Sequence, residues 1–156
     1  MKINYVESKS KNEPEKIDTD SSPNYVFIRE CIKETEDGYF EYQEAIMSKD
    51  EYLYATCNNI DFSYPQVHYE QKLNDPVVYP VTGFSYKPTY AASFYADLIA
   101  KGMAFPEVFP IKIYDVTHKE ENAVSMTITE LTQLAMFLAA KQEQYFQEMQ
   151  AEKAID

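Results

Sequence analysis

The sequence predicts an α+β fold, and three observations predict it. Residues 25–47 form two β-rich runs around Glu36-Asp37-Gly38, the pattern of a hairpin. Residues 126–156 repeat apolar positions at spacings of three and four behind a capping box, the pattern of a long helix. Between them stand a Tyr/Pro-rich irregular β region, a shorter core helix and a strand. The expected organisation is a flexible polar arm over 1–24, a hairpin with a short helix over 25–59, and an α+β domain over 60–156 that ends in a long amphipathic helix.

In chain order, MKINYV is either a short edge strand or a frayed start. Residues 7–24 are polar and contain Pro14 and Pro23, which reads as a linker or loosely held arm. The hairpin register follows from pairs. A two-residue Asp37-Gly38 turn sets Glu34 opposite Glu41, a repulsive pair. A three-residue turn with Gly38 in the left-handed conformation instead pairs Lys33 with Glu41, Ile32 with Tyr42 and Ile28 with Ile46. That register is expected, although it also sets Glu30 opposite Glu44. Ser48 and Glu51 then form a capping box ahead of a helix over about 49–57, and Asn58-Asn59 ends it.

Residues 60–88 carry four prolines and four tyrosines. Ile60–Tyr64, Gln66–Glu70 and Val77–Val81 are expected to be extended, with the prolines confining them to edges and turns. Asn74-Asp75-Pro76 is a turn signal. A helix is expected over 90–101, its apolar face made by Tyr90, Ala91, Phe94, Tyr95, Leu98 and Ile99, with Gly102 just past its end. Ile111–Val116 reads as a strand that contributes sheet, and THKEEN as a polar turn. The last helix, expected over 128–153, starts from Thr127 and Glu130, with Met126 and Leu131 placed as a hydrophobic staple. From Leu131 to Ala140 it is apolar on more than one side. Beyond Lys141 only Tyr145, Phe146 and Met149 form an apolar stripe. It either closes its own domain or projects as a coiled coil or partner-docking helix. The expected core includes Ile28, Ile32, Phe94, Leu98, Ile113, Leu131, Leu134 and Leu138.

Composition narrows the function. The 156 residues are 45% hydrophobic, enough for a core, and no run is long and apolar enough to span a membrane. MKINYVESKSKNEPEK has no apolar stretch of signal-peptide type, so secretion by a signal peptide is not expected. Cys31 and Cys57 have no metal or disulfide-scaffold spacing and are expected to be reduced. The net charge of −12 is concentrated in residues 24–59 and 115–156. With Arg29 as the one arginine, direct nucleic-acid binding is not expected. His68 and His118 lack a second ligand at metal spacing, and three glycines in the whole chain leave no phosphate-cradling loop. No catalytic role, metal or cofactor is therefore expected. The candidate binding residues are Tyr64, Tyr69, Tyr79 and Tyr86, which offer contact area and a hydroxyl or else simply pave the core, and the stripe of Tyr145, Phe146 and Met149.

Two stretches carry a resemblance. In the last segment Val124, Met126, Thr127, Leu131, Leu134, Ala135, Ala139, Ala140, Ala154 and Ile155 follow a pattern of short strand, charged turn, cap and Ala/Leu-rich helix. It resembles a small domain of unknown function carried by tailed-phage proteins near tail fibres, whose aromatic-Asp lead is met in part by Tyr114 and Asp115. In the hairpin, Tyr25, Val26, Arg29, Ile32, Tyr42, Glu44 and Tyr52 resemble the opening of small proteins encoded in phage tail modules. The resemblance implies a phage virion or tail-assembly context. The expected function is a tail-associated structural or assembly protein, in the virion tail or in host cytoplasm during assembly. It would bind a fibre or baseplate partner, with a homo-oligomer through the last helix as a further possibility. The alternative is an acidic inhibitor of a host nucleic-acid-binding defence protein, for which the net charge speaks.

Overall fold

A computed structural model describes residues 3–155; Met1 and Lys2 of the expected arm and Asp156 of the last segment lie outside the described residues. The protein is α+β, as its sequence predicts, and divides into two compact units, residues 1–68 and 69–156. The boundary falls inside a helix, later than the expected division at 59.

The first unit is a four-stranded antiparallel sheet. It is made of β1 (Val6–Ser10), β2 (Ile17–Asp18), β3 (Tyr25–Glu34) and β4 (Phe40–Ser48), in the order β1-β4-β3-β2. The arm expected over 1–24 is thus not loose. β1 pairs along β4 from Val6↔Glu44 to Ser10↔Phe40, and β2 pairs Ile17 and Asp18 with Ile28 and Phe27. Polar composition misleads here because an edge strand keeps polar side chains facing water.

The hairpin has the expected three-residue turn. Gly38 has φ +81°, Lys33 lies opposite Glu41, and the Thr35 N–H donates to the Tyr39 carbonyl at 2.7 Å. Further along, the expected register slips by one. Cys31 stands at φ +55°, and between Glu30 and Lys33 the strand bulges, so Ile28 pairs with Ala45 rather than Ile46. The slip replaces a repulsion by an attraction. Glu30 now faces Gln43, and Arg29 faces Glu44, which its Nε meets at 2.7 Å.

Arg29 also reaches the Asp18 carboxylate at 3.4 Å and lies over the rings of Phe27 and Tyr42. One guanidinium therefore ties β2, β3 and β4 together on this face, where its fork suits two carboxylates at once. The other face packs Val26, Ile28, Ala45 and Met47 against Ala55 of α1 (Lys49–Cys57), with Tyr5, Tyr52 and Phe62 alongside. The capping box of α1 is complete, with Ser48 and Glu51 serving each other's backbone N–H groups.

α2 (Tyr64–Asn74) corrects the extended reading of Gln66–Glu70. Pro65 lies in its first turn, where a missing N–H leaves no bond unmade. The Ser63 carbonyl accepts the Val67 N–H at 3.0 Å, and the Asn74-Asp75-Pro76 turn ends the helix.

The second unit is arranged around α4 (Ile128–Ile155), whose Leu131, Leu134 and Leu138 are fully buried. Thr127 and Glu130 make the expected capping box. Two short hairpins join it, β5 (Val77–Val78) with β6 (Ser85–Tyr86) and β7 (Ile111–Ile113) with β8 (Val124–Met126). The strand expected near 111–116 thus pairs with β8 and is not part of the first unit's sheet.

Between them, Ala91–Tyr95 is one turn of π-helix, with the Ala96 N–H bonded to the Ala91 carbonyl, and it continues into α3 (Ala96–Ala104). The extra residue per turn shifts the phase of the apolar face. Ala91 and Tyr95 are buried, and Phe94, expected in the core, is 54% exposed. Leu98 and Ile32, also expected in the core, are half-buried. Gly102 is not a terminator. It lies inside α3, buried, where a Cβ would overlap the Phe109 ring. Phe109-Pro110 is a cis peptide.

Asp18 gives the sheet a pH dependence. The Ser21 hydroxyl, the N–H groups of Ser21 and Asp20, and Arg29 hold its carboxyl down to about 2, against a weaker opposing effect of burial. A depressed carboxyl contributes stability that is fully present above the unfolded value of about 3.9 and is lost as pH falls through the folded value. Asp18→Asn should therefore be less stable than the parent at neutral pH, with the gap closing as pH is lowered to about 2. Urea denaturation across that range checks it, and a gap constant with pH would contradict it.

Candidate functional site

Two of the four tyrosine candidates are core residues, and the other two are half-buried. Tyr79 and Tyr86 are 7% and 0% exposed, meet edge to face at 6.4 Å, and belong to the core around α4. Tyr64 is stacked on His68 at 5.2 Å and lies edge-on to Tyr5 at 5.4 Å. Tyr69 is edge-on to Phe146 at 6.1 Å. In a chain without Trp, tyrosine supplies large ring area to the core: Tyr79 and Tyr86 are corrected from exposed candidates to buried residues, and Tyr64 and Tyr69 are half-buried in ring contacts.

The stripe on the last helix is corrected as well. Met149 is 4% exposed, so it is not a free contact. Lys72 of α2 places its Nζ over the Tyr145 ring at 5.6 Å and pairs with Glu148 at 2.8 Å. Gln142, the polar residue in the seam, donates to the Pro88 carbonyl. Leu131, Leu134, Leu138, Gln142, Tyr145 and Met149 thus continue one inward stripe. That stripe is therefore covered by the chain's own residues, with Gln142 and Tyr145 half-buried. Phe146, 39% exposed, is the one residue of the expected stripe that keeps an open edge.

What the second unit leaves open is a cleft of about 620 Å³ between the π turn with α3 and the strand β7. Tyr90, Phe94, Tyr95 and Leu98 line one wall, and Ile111, Lys112, Ile113 and Tyr114 the other, with Ser93 and His118 contributing at its margin. The volume is in the range of small-molecule and side-chain pockets, and the walls are mostly apolar and aromatic, as such pockets are. Burial raises the Tyr95 phenol well above its usual value, and its hydroxyl has no hydrogen-bond partner among the described residues.

One edge of the cleft is electrostatically set. Glu120, in a 3-10 turn over Glu120–Asn122, pairs with Lys112 and accepts the Tyr114 hydroxyl at 2.7 Å. These contacts lower the Glu120 carboxyl and raise both partners. The turn itself is built on Asp115, 3% exposed. Its carboxylate accepts the Thr117 N–H and hydroxyl at 3.0 and 2.5 Å and the Asn122 amide at 3.1 Å. Burial works to raise the Asp115 carboxyl, but these bonds together hold it below the usual range. The aromatic-Asp lead seen in the sequence is therefore a turn-forming device. His118 follows in it at φ +56°.

A second depression, about 400 Å³ over the sheet of the first unit, is lined by Glu7, Lys9, Lys33 and Glu41 among others, charges of both signs. Among the described residues no group of three or more His, Cys, Asp or Glu is placed to hold a metal ion, and no helix is long and apolar enough to cross a membrane. No protein-family model, curated protein or solved structure matches the chain.

Sequence reasoning missed Phe94, Lys112, Tyr114, His118 and Glu120 as one site. The run IKIY with two aromatic helix positions upstream is the signal available. Only the π turn, which periodicity does not reveal, brings Phe94 to the cleft.

The inward stripe has a direct consequence for mutants. Met149→Ser should destabilise the protein by about 2–4 kcal/mol, as loss of a buried methionine does. Phe146→Ser should cost less than about 1 kcal/mol, being at the surface. Thermal and urea unfolding of the two variants check this; equal, small losses would show that the distal helix is not held in the core.

Proposed function

We propose that the protein is a phage tail-associated structural or assembly protein that acts by binding a fibre or baseplate partner. The observation that carries the binding reading is the apolar cleft beside β7, where Phe94 and Tyr114 are 54% and 38% exposed in a unit whose other large aromatics are mostly packed. Exposed aromatics beside a preformed cavity are the composition of an interface centre, where truncation removes much of the affinity. The tail context is supported by the resemblance of the hairpin and of the last segment to tail-module proteins. Within this reading the binding residues move from the tyrosine set to Phe94, Leu98 and Tyr114.

The reading is tested by co-expressing the protein with tail genes of the same phage and by mass spectrometry of purified virions. A fibre or baseplate protein should co-purify with it. The complex should persist in high salt, because apolar burial rather than charge holds it. Absence of the protein from virions together with absence of any tail partner would contradict the proposal.

A further inference from the structure

The lining of the cleft by β7 is unusual for a strand. Ile111, Lys112 and Ile113 of β7 and Tyr114 directly after it are consecutive, and all four line it. Side chains in a strand alternate between faces, so a run of four reaches one cavity only if the cavity lies along the strand's edge. The sheet pairing agrees. β7 is bonded on one side to β8, from Ile111↔Met126 to Ile113↔Val124, and its other edge has no strand. Among the described residues, no backbone group of residues 111–114 bonds outside that hairpin. We propose that this edge receives an extended segment of a partner protein, which adds a strand to the β7–β8 hairpin and seats an apolar or aromatic side chain against Phe94 and Leu98. The inference rests on the reading of the protein as a binding module and names the mode of that binding.

Strand addition divides its work between main chain and side chains: backbone bonds supply affinity, and pockets at alternate positions supply selectivity. The cleft offers both. Of the other open edges, β8 in the same hairpin does not line the cleft, and β1, five residues long, is of a different kind. Its outer residues include Glu7 and Lys9, the charges that keep an edge from pairing. Beside β7 the lining has no carboxylate, and Lys112 is neutralised by Glu120, so an uncharged segment fits.

A second copy of this chain fits poorly. Each copy carries −12. An antiparallel pairing of β7 with itself, centred on its middle residue, also sets Lys112 beside its own symmetry mate. The occupant is therefore an uncharged, alternately apolar segment of a different protein.

The test uses the full chain and a synthetic peptide of about six residues with Val and Phe at alternate positions, a normal strand length. Hydrogen exchange of backbone amides should slow in β7 on adding the peptide. Phe94→Ala should weaken binding by about tenfold or more, the effect of truncating an aromatic anchor, with the melting temperature unchanged. The same peptide N-methylated at alternate residues should not bind. Equal binding of the methylated peptide would overturn strand addition. So would protection confined to Val6–Ser10, or no binding by either peptide. Protection of β7 by concentration-dependent dimerisation alone would replace the partner with a second copy and overturn the assignment. Failure of the tail-assembly reading would show instead as absence from virions, with the peptide result unaffected.

Discussion

Burial of one stripe along α4 is the constraint on which the second unit depends. Leu131, Leu134 and Leu138 are wholly removed from water, and around them lie Tyr79, Tyr86, Ala91, Tyr95, Ile113 and Met126. These residues come from two short hairpins and a π turn, none of which is long enough to be stable alone. Each side chain gains on the order of 1.5–3 kcal/mol from burial, so the short elements are held by what they cover rather than by their own hydrogen bonds. The capping box at Thr127 and Glu130 fixes where the helix starts and hence which residues reach that core.

That arrangement also decides which surface is left for function. The stripe of Leu131, Leu134, Leu138 and Met149 on α4 is turned inward and is not an open contact surface. Among the side chains that remain open, Phe94 at the π turn and Tyr114 just after β7 are the ones that line the cleft. Buried stripe and open cleft are joined through the same short helix: Ala91 and Tyr95 belong to the core, and Phe94 between them belongs to the cleft. Gly102, pressed on Phe109, holds the far end of that helix close to the chain that leads into β7.

Legibility in the sequence followed the range of the interactions. Both capping boxes, the turn with Gly38 in the left-handed region and the extent of the last helix depend on residues a few positions apart, and all were legible. The features that failed depend on distant partners. The bulge at Cys31 forms where Arg29 finds Glu44 and also Asp18, and Asp18 lies in a stretch whose composition resembles a loose arm. The distal stripe of α4 looked free because Lys72 and Tyr69, which cover it, lie more than seventy residues earlier. Prolines misled at residue 65, where position within a helix matters more than residue type. Of the candidate site, the tyrosines had the right chemistry in the wrong place. The cleft needs a phase shift at residues 91–95 that no periodic pattern contains.

Residue-resolved hydrogen exchange along α4 tests this account most directly. A helix held in the core over its length should show slow exchange running unbroken from Leu131 through Met149. Slow exchange that stops at Ala140, with Lys141 onward exchanging as fast as an isolated helix, would contradict it and return the distal half to the role of a free docking surface.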